Sequence, residues 1–130
     1  MERTDQSYSS GEWKVRVGSE EEFVQRWTTI IEWSLENAPG AGSFVLVRST
    51  EDPTRFLSLG SWESQQAQQA WREMPRHQEL LEQCLELCEE FDTHSHTLAA
   101  SREKGALGGV TDTVRGTTDR LLGGGKEEQR

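Results

Sequence analysis

Hydrophobic and polar positions alternate, then recur at helical spacing, then alternate again along this chain. Trp13, Val15 and Val17 alternate with Lys14 and Arg16, which predicts a half-buried first strand. Ser19 follows, backed by Glu20, Glu21 and Glu22. That arrangement predicts a capping box from Ser19 to Glu22 and a helix running to about Asn37. On this helix Phe23, Val24, Trp27, Ile30, Ile31 and Leu35 share one broad apolar stripe at about 100° per residue. Trp33 projects from a flank, roughly 120° from Trp27 by the same periodicity. It either contacts a partner, a tail or a ligand, or lies over the domain's own edge.

Pro39 and Gly40 end the helix, and Ser43 to Arg48 reads as a second strand. Phe44 and Leu46 point one way, Val45 and Val47 the other, so the strand is covered on both faces. The turn Glu51-Asp52-Pro53-Thr54 leads into a third strand, Arg55 to Ser61, making a hairpin. Ser64 caps a short helix to Arg72, and Pro75 opens another. On that helix His77, Leu80, Leu81, Cys84, Leu87 and Cys88 share a side. From Phe91 to Ala99 the period returns to two, with Asp92, His94, His96 and Leu98 on one face of a fourth strand. The order strand, helix, strand, strand, helix, helix, strand is a split βαβ arrangement, predicting an α+β fold: a four-stranded antiparallel sheet with helices on one face. The second strand's other face needs a cover that the chain lacks. A second copy of the sheet supplies one, so a homodimer is expected.

Composition places the domain within the chain. Of 130 residues 32% are hydrophobic, few enough that part of the chain is not expected to pack. Residues 1–11 are polar and are expected to be a disordered N-terminal segment. Residues 101–130, rich in Gly, Thr and charge, are expected to form a flexible or weakly helical tail, leaving the domain at residues 12–100. The net charge of −9, with no basic stripe, argues against nucleic acid. No apolar run is long enough to span a membrane and no signal pattern opens the chain, so cytoplasmic localisation is the expectation. Cys84 and Cys88, four apart on a helix, are poorly placed for a disulfide and read as small apolar residues. A zinc site would need two further ligands.

Several short motifs stand in a telling order: Glu22-Phe23 opening the first helix, Ala38-Pro39-Gly40 closing it, and Trp62-Glu63-Ser64 after the third strand. Ala70-Trp71 and Met74-Pro75-Arg76-His77 follow. Together they resemble the antibiotic biosynthesis monooxygenase family over about residues 12–100. The resemblance implies a ferredoxin-like protomer forming a dimeric α+β barrel. The family includes cofactor-free monooxygenases acting on aromatic polyketides and quinols, haem-degrading enzymes, an isomerase of a signalling sugar derivative and members with no known activity. For the haem-degrading branch, Trp71 matches the ruffling Trp, but the axial His falls at Leu81 and the first-strand Asn has no counterpart. Leucine cannot ligate iron.

A cofactor-free oxygenase needs a dry pocket for a flat substrate, a base, and donors for a developing oxyanion. His77 is the candidate base or orienting donor, Arg48 the candidate anion partner, and Trp62, Trp71 and Trp27 the candidate substrate-binding walls. A His at a helix N-terminus is disfavoured from carrying a proton and so serves as a neutral base. A lone His on an apolar face is equally the pattern of a structural, hydrogen-bonded residue. Asp92, His94 and His96 share a strand face, a weak metal pattern without a second carboxylate or Cys signature, and no metal or cofactor is expected. The expected substrate is a small aromatic or quinol-like molecule.

In the tail, Leu107, Val110, Val114, Thr117 and Leu121 follow 3-4-3-4 spacing within an imperfect seven-residue repeat. The segment is too Gly-rich to hold a helix alone. Residues 107–122 are read either as a docking peptide for a protein partner or as a solubilising tail. Two functional readings follow: a cofactor-independent monooxygenase, or a non-catalytic dimeric module recruited through its tail. Haem binding is a minor third.

Overall fold

A computed structural model of the chain describes residues 6–105. The strands are β1 (Ser7–Val15), β2 (Ala41–Arg48), β3 (Arg55–Trp62) and β4 (Cys88–Thr97). The helices are α1 (Glu20–Asn37), α2 (Gln65–Arg72) and α3 (Pro75–Leu85). The sheet order is β2-β3-β1-β4, every neighbouring pair antiparallel. This is the expected ferredoxin-like α+β architecture.

The first strand corrects the expected N-terminal boundary. It begins at Ser7, inside the segment expected to be disordered, and ends at Val15. Val17 is therefore outside it and 85% exposed. Ser7 to Gly11 carries no apolar alternation. It is extended because both flanking strands bond to it: Ser9 pairs with Gly60 on one side and Ser95 on the other. Two ladders of backbone hydrogen bonds impose the strand where side chains do not.

Along α1, Phe23, Ile30 and Ser34 are buried, with Trp27 and Ile31 half-buried against the core. Val24 and Leu35, expected in the stripe, are exposed. The helix rests on a narrower line than its apolar residues define. Trp33 is half-buried and packs against both hydrophobic clusters, over the domain's own edge. Ser19 makes no side-chain cap, because its ψ of 10° is outside the extended region that capping requires. The Glu20 carboxylate instead accepts from the Gly18 N–H at 2.9 Å.

Ser64 does cap α2. Extended at φ −161°, it accepts from the Ala67 N–H at 3.0 Å. Pro75 stands at the start of α3. The main core gathers Trp13, Val15, Phe23, Ile30, Phe56, Leu80 and Cys84 between sheet and helices. A second cluster holds Ala38, Trp62 and Trp71. Cys84 and Cys88 are free thiols, and burial pushes them up to about 12 and about 11, as expected of inert apolar residues.

Of the described residues, 6–98 form one compact unit and 99–105 fall outside it. The docking seam expected at residues 107–122 lies outside the described residues. Among those described, no helix is long and apolar enough to cross a membrane.

Candidate functional site

Small residues on the helix-facing side of the sheet create the cavity. Ser9 pairs with Gly60 and Gly11 with Ser58, so four adjacent positions supply almost no side-chain volume. The cavity left between sheet and helices is narrow, about 70 Å³, and opens to solvent on one side. A Cβ at Gly60 would lie 2.2 Å from the Phe44 ring, and one at Gly11 2.8 Å from Ser58 Oγ. Both positions must stay bare. Every element lines the cavity: Trp13 and Phe91 from the sheet, Trp27, Ile30 and Ile31 from α1, Trp71 and Arg72 from α2, His77 and Leu81 from α3, with Phe44 and Thr93 at the strand edges.

Polar atoms in these walls are largely tied off. The indole N–H of Trp13 donates to Ser58 Oγ at 3.1 Å and that of Trp62 to Ser9 Oγ at 3.1 Å. Trp71 Nε1 donates to Ser34 Oγ at 2.8 Å, which explains a buried serine in the α1 stripe. His77 is different. It is 5% exposed, and its Nδ1 is buried without a hydrogen-bond partner. Its ring lies 4.0 Å from that of Trp71, tilted 49°. Burial, then the neighbouring Arg72 charge, lowers its pKa from 6.5 to about 4, so the imidazole is neutral at physiological pH.

Arg72, which the sequence reading did not single out, stands beside it. Its Nη2 donates to Gln68 Oε1 at 2.8 Å and its Nη1 to Thr93 Oγ1 at 3.3 Å. Gln68 is itself anchored, donating to Ser7 Oγ at 3.0 Å. The alternation Ser7, Ser9, Gly11, opposite Ser58 and Gly60, was the available signal for the cavity floor.

The other sequence candidates divide by position. Trp27 and Trp71 line the cavity, whereas Trp62 does not. It lies one layer behind, 4.7 Å from Trp71 between ring centroids and edge-on to Phe44. Arg48 lines a separate surface groove with Glu12 and Arg55, its Nε donating to Pro53 O at 2.7 Å and its guanidinium over Phe56. It is thus not brought to His77. Leu81 forms apolar wall where a haem ligand would be required. On the opposite face of the sheet, His94 and His96 have ring centroids 6.4 Å apart, and His96 Nε2 is 2.9 Å from Ser10 Oγ. Among the described residues, no group of three or more His, Cys, Asp or Glu is placed to hold a metal.

The family model for antibiotic biosynthesis monooxygenases matches residues 8–83, from β1 through most of α3. The chain belongs to this family. Among solved structures, an antibiotic biosynthesis monooxygenase homologue from Bordetella bronchiseptica is 20% identical, with a TM-score of 0.66 over 74% of this chain and 99% of its own. SnoaB from Streptomyces nogalater, a cofactor-independent oxygenase, is 14% identical, with a TM-score of 0.64 over 78% of this chain and 98% of its own. A conserved protein from Methanosarcina mazei is 15% identical, with a TM-score of 0.66 over 72% and 93%. At such identities these structures establish shared fold alone. No curated protein matches the chain.

Proposed function

We propose that this family member is a cofactor-independent monooxygenase acting on a small aromatic or quinol-like substrate. The observation that carries the reading is His77, a buried neutral imidazole with an unpartnered Nδ1 in an aromatic-walled cavity. A buried polar atom left without a partner costs about 1–3 kcal/mol, so the imidazole gains a hydrogen bond when the cavity widens enough for a substrate hydroxyl to reach Nδ1. Trp27 and Trp71 flank a planar ring, and Trp62 supports Trp71 from behind. Membership of the antibiotic biosynthesis monooxygenase family supports the reading.

For a ring methylene, the keto form of a phenol, the balance is CH2 + O2 → C=O + H2O. His77 takes a substrate proton, leaving an electron-rich anion that reduces oxygen at the ring carbon. One oxygen atom stays as the new carbonyl. The other leaves as water with the two hydrogens, the proton held on His77 being returned in that step. Oxygen uptake over a quinol panel, above the uncatalysed rate, tests this; an inert protein indistinguishable from its His77→Ala variant contradicts it.

The same reading includes a homodimer through the open sheet face. Leu57 and Leu59 are 43% and 39% exposed there, and Val45 and Val47 pair beside them. A contiguous apolar patch of this kind calls for a cover. Sedimentation is expected to show a dimer at micromolar concentration, and Leu59→Lys to weaken it. A clean wild-type monomer contradicts it.

A further inference from the structure

The cavity holds a cation with no counter-charge. Arg72 is half-buried, lines the cavity beside His77, and has no carboxylate in ion-pair range among the described residues. Lys14, Arg26, Arg55 and Arg76 each hold a carboxylate partner, whereas Arg16 and Arg48 donate to backbone carbonyls; among the described residues Arg72 is the one cation in the lining of this cavity. Neutral oxygens from Gln68 and Thr93 fix the guanidinium instead. Two of its five N–H groups are used in this way, leaving three unassigned. Gln68 is tied to Ser7, and Thr93 Oγ1 donates to Ser10 O at 2.9 Å, so both anchors are themselves fixed on the sheet. The guanidinium is only half-buried and lies over the Trp71 ring, 5.9 Å from its centroid, so the aromatic face and water meet part of its charge while no anion does among the described residues. Arg72 also lies beside His77, where its charge opposes a second positive charge.

We infer that Arg72 is a specificity-determining residue: the cavity selects planar aromatic substrates bearing a carboxylate, which pairs with this guanidinium while the ring lies against Trp27 and Trp71. A phenol fits the observation less well, since an unperturbed phenolic group with a pKa near 10 brings no charge at neutral pH. A guanidinium and a carboxylate match in shape as well as charge. The inference rests on the cavity being the substrate site proposed above, but not on the reaction that takes place there.

Calorimetry with 2-naphthoate and its neutral analogue 2-naphthamide tests it on the full chain. Wild-type protein is expected to bind the carboxylate about tenfold or more tighter. Arg72→Gln, checked for native circular dichroism, is expected to abolish that ratio, leaving amide affinity nearly unchanged. Thr93→Val, which loosens the guanidinium without removing its charge, is expected to reduce the ratio partially. Absence of a preference in the wild type, or failure of the carboxylate to bind it, overturns the inference without recourse to any variant. So does equal weakening of both ligands by Arg72→Gln, the signature of a merely structural role. Selective carboxylate binding with no oxygen uptake upholds this inference while removing the oxygenase reading; turnover of neutral quinols with no charge preference does the reverse.

Discussion

His77 and Trp71 meet ring against ring, 4.0 Å apart, while the Trp71 indole N–H donates away from the histidine to Ser34 Oγ. The tryptophan therefore shields the imidazole without giving it a hydrogen bond. Its own polar atom is satisfied by a different helix.

That division makes Ser34 a support for the site. Ser34→Ala leaves the Trp71 N–H buried and unpaired, which costs about 1–3 kcal/mol. Urea unfolding is expected to show a loss of that size. No change in midpoint would mean that Trp71 finds another acceptor.

Burial of His77 makes stability depend on acid. Its folded pKa of about 4 lies below the ordinary 6.5, so the unfolded chain binds the proton more readily. The contribution is intact above pH 6.5 and is lost progressively as pH falls toward 4. The shift corresponds to about 3 kcal/mol. Asp52, held down to about 2 chiefly by hydrogen bonds from Thr54, loses its contribution only at lower pH, from 3.8 downward. Wild type is thus expected to lose stability relative to His77→Gln between pH 6.5 and 4. Parallel pH profiles for the two proteins would contradict the assignment.

The helix starts make a paired prediction. Ser64→Ala removes a formed cap and is expected to cost about 1 kcal/mol. Ser19→Ala removes none and is expected to fall within about 0.5 kcal/mol of wild type. Thermal melts of both variants check the contrast.

Ser19, backed by Glu22, has the fuller start signature and makes no cap, whereas Ser64, followed by Ala67 at the same spacing, does, which shows how far the sequence carries. Side-chain type marks a helix start, whereas the backbone angle, set by how the chain leaves the preceding strand, decides whether the cap forms. The fold was legible because β2, β3 and the helices carry their periodicity in apolar residues. The beginning of β1 was not, since Ser7 to Gly11 is extended through pairing on both sides. The cavity floor was hidden for the same reason, its defining feature being the small residues of that segment. Of the candidate site, His77, Trp71 and Trp27 were visible as an aromatic and histidine pattern, and the structure brings them to one cavity. Arg72 was not visible, because a charge at the end of a short helix ordinarily faces solvent. Its burial follows from the anchors on Gln68 and Thr93, contacts between distant parts of the chain.

The bare floor can be tested directly. Gly60→Ala places a methyl against the Phe44 ring. Overpacking of this kind costs about 1–3 kcal/mol, and Phe44, displaced, is expected to intrude on the cavity. A lowered melting temperature together with weakened 2-naphthoate binding is the expected result. Unchanged values for both would show that Phe44 yields freely.

The central claim is that His77 serves oxygen chemistry in this cavity. Turnover of a quinol panel under 18O2, with the uncatalysed rate subtracted, measures it most directly. Wild type is expected to place one labelled oxygen in the product, and His77→Ala to lower the rate by about 100-fold or more. Equal rates for both proteins, or no incorporated label, would contradict it.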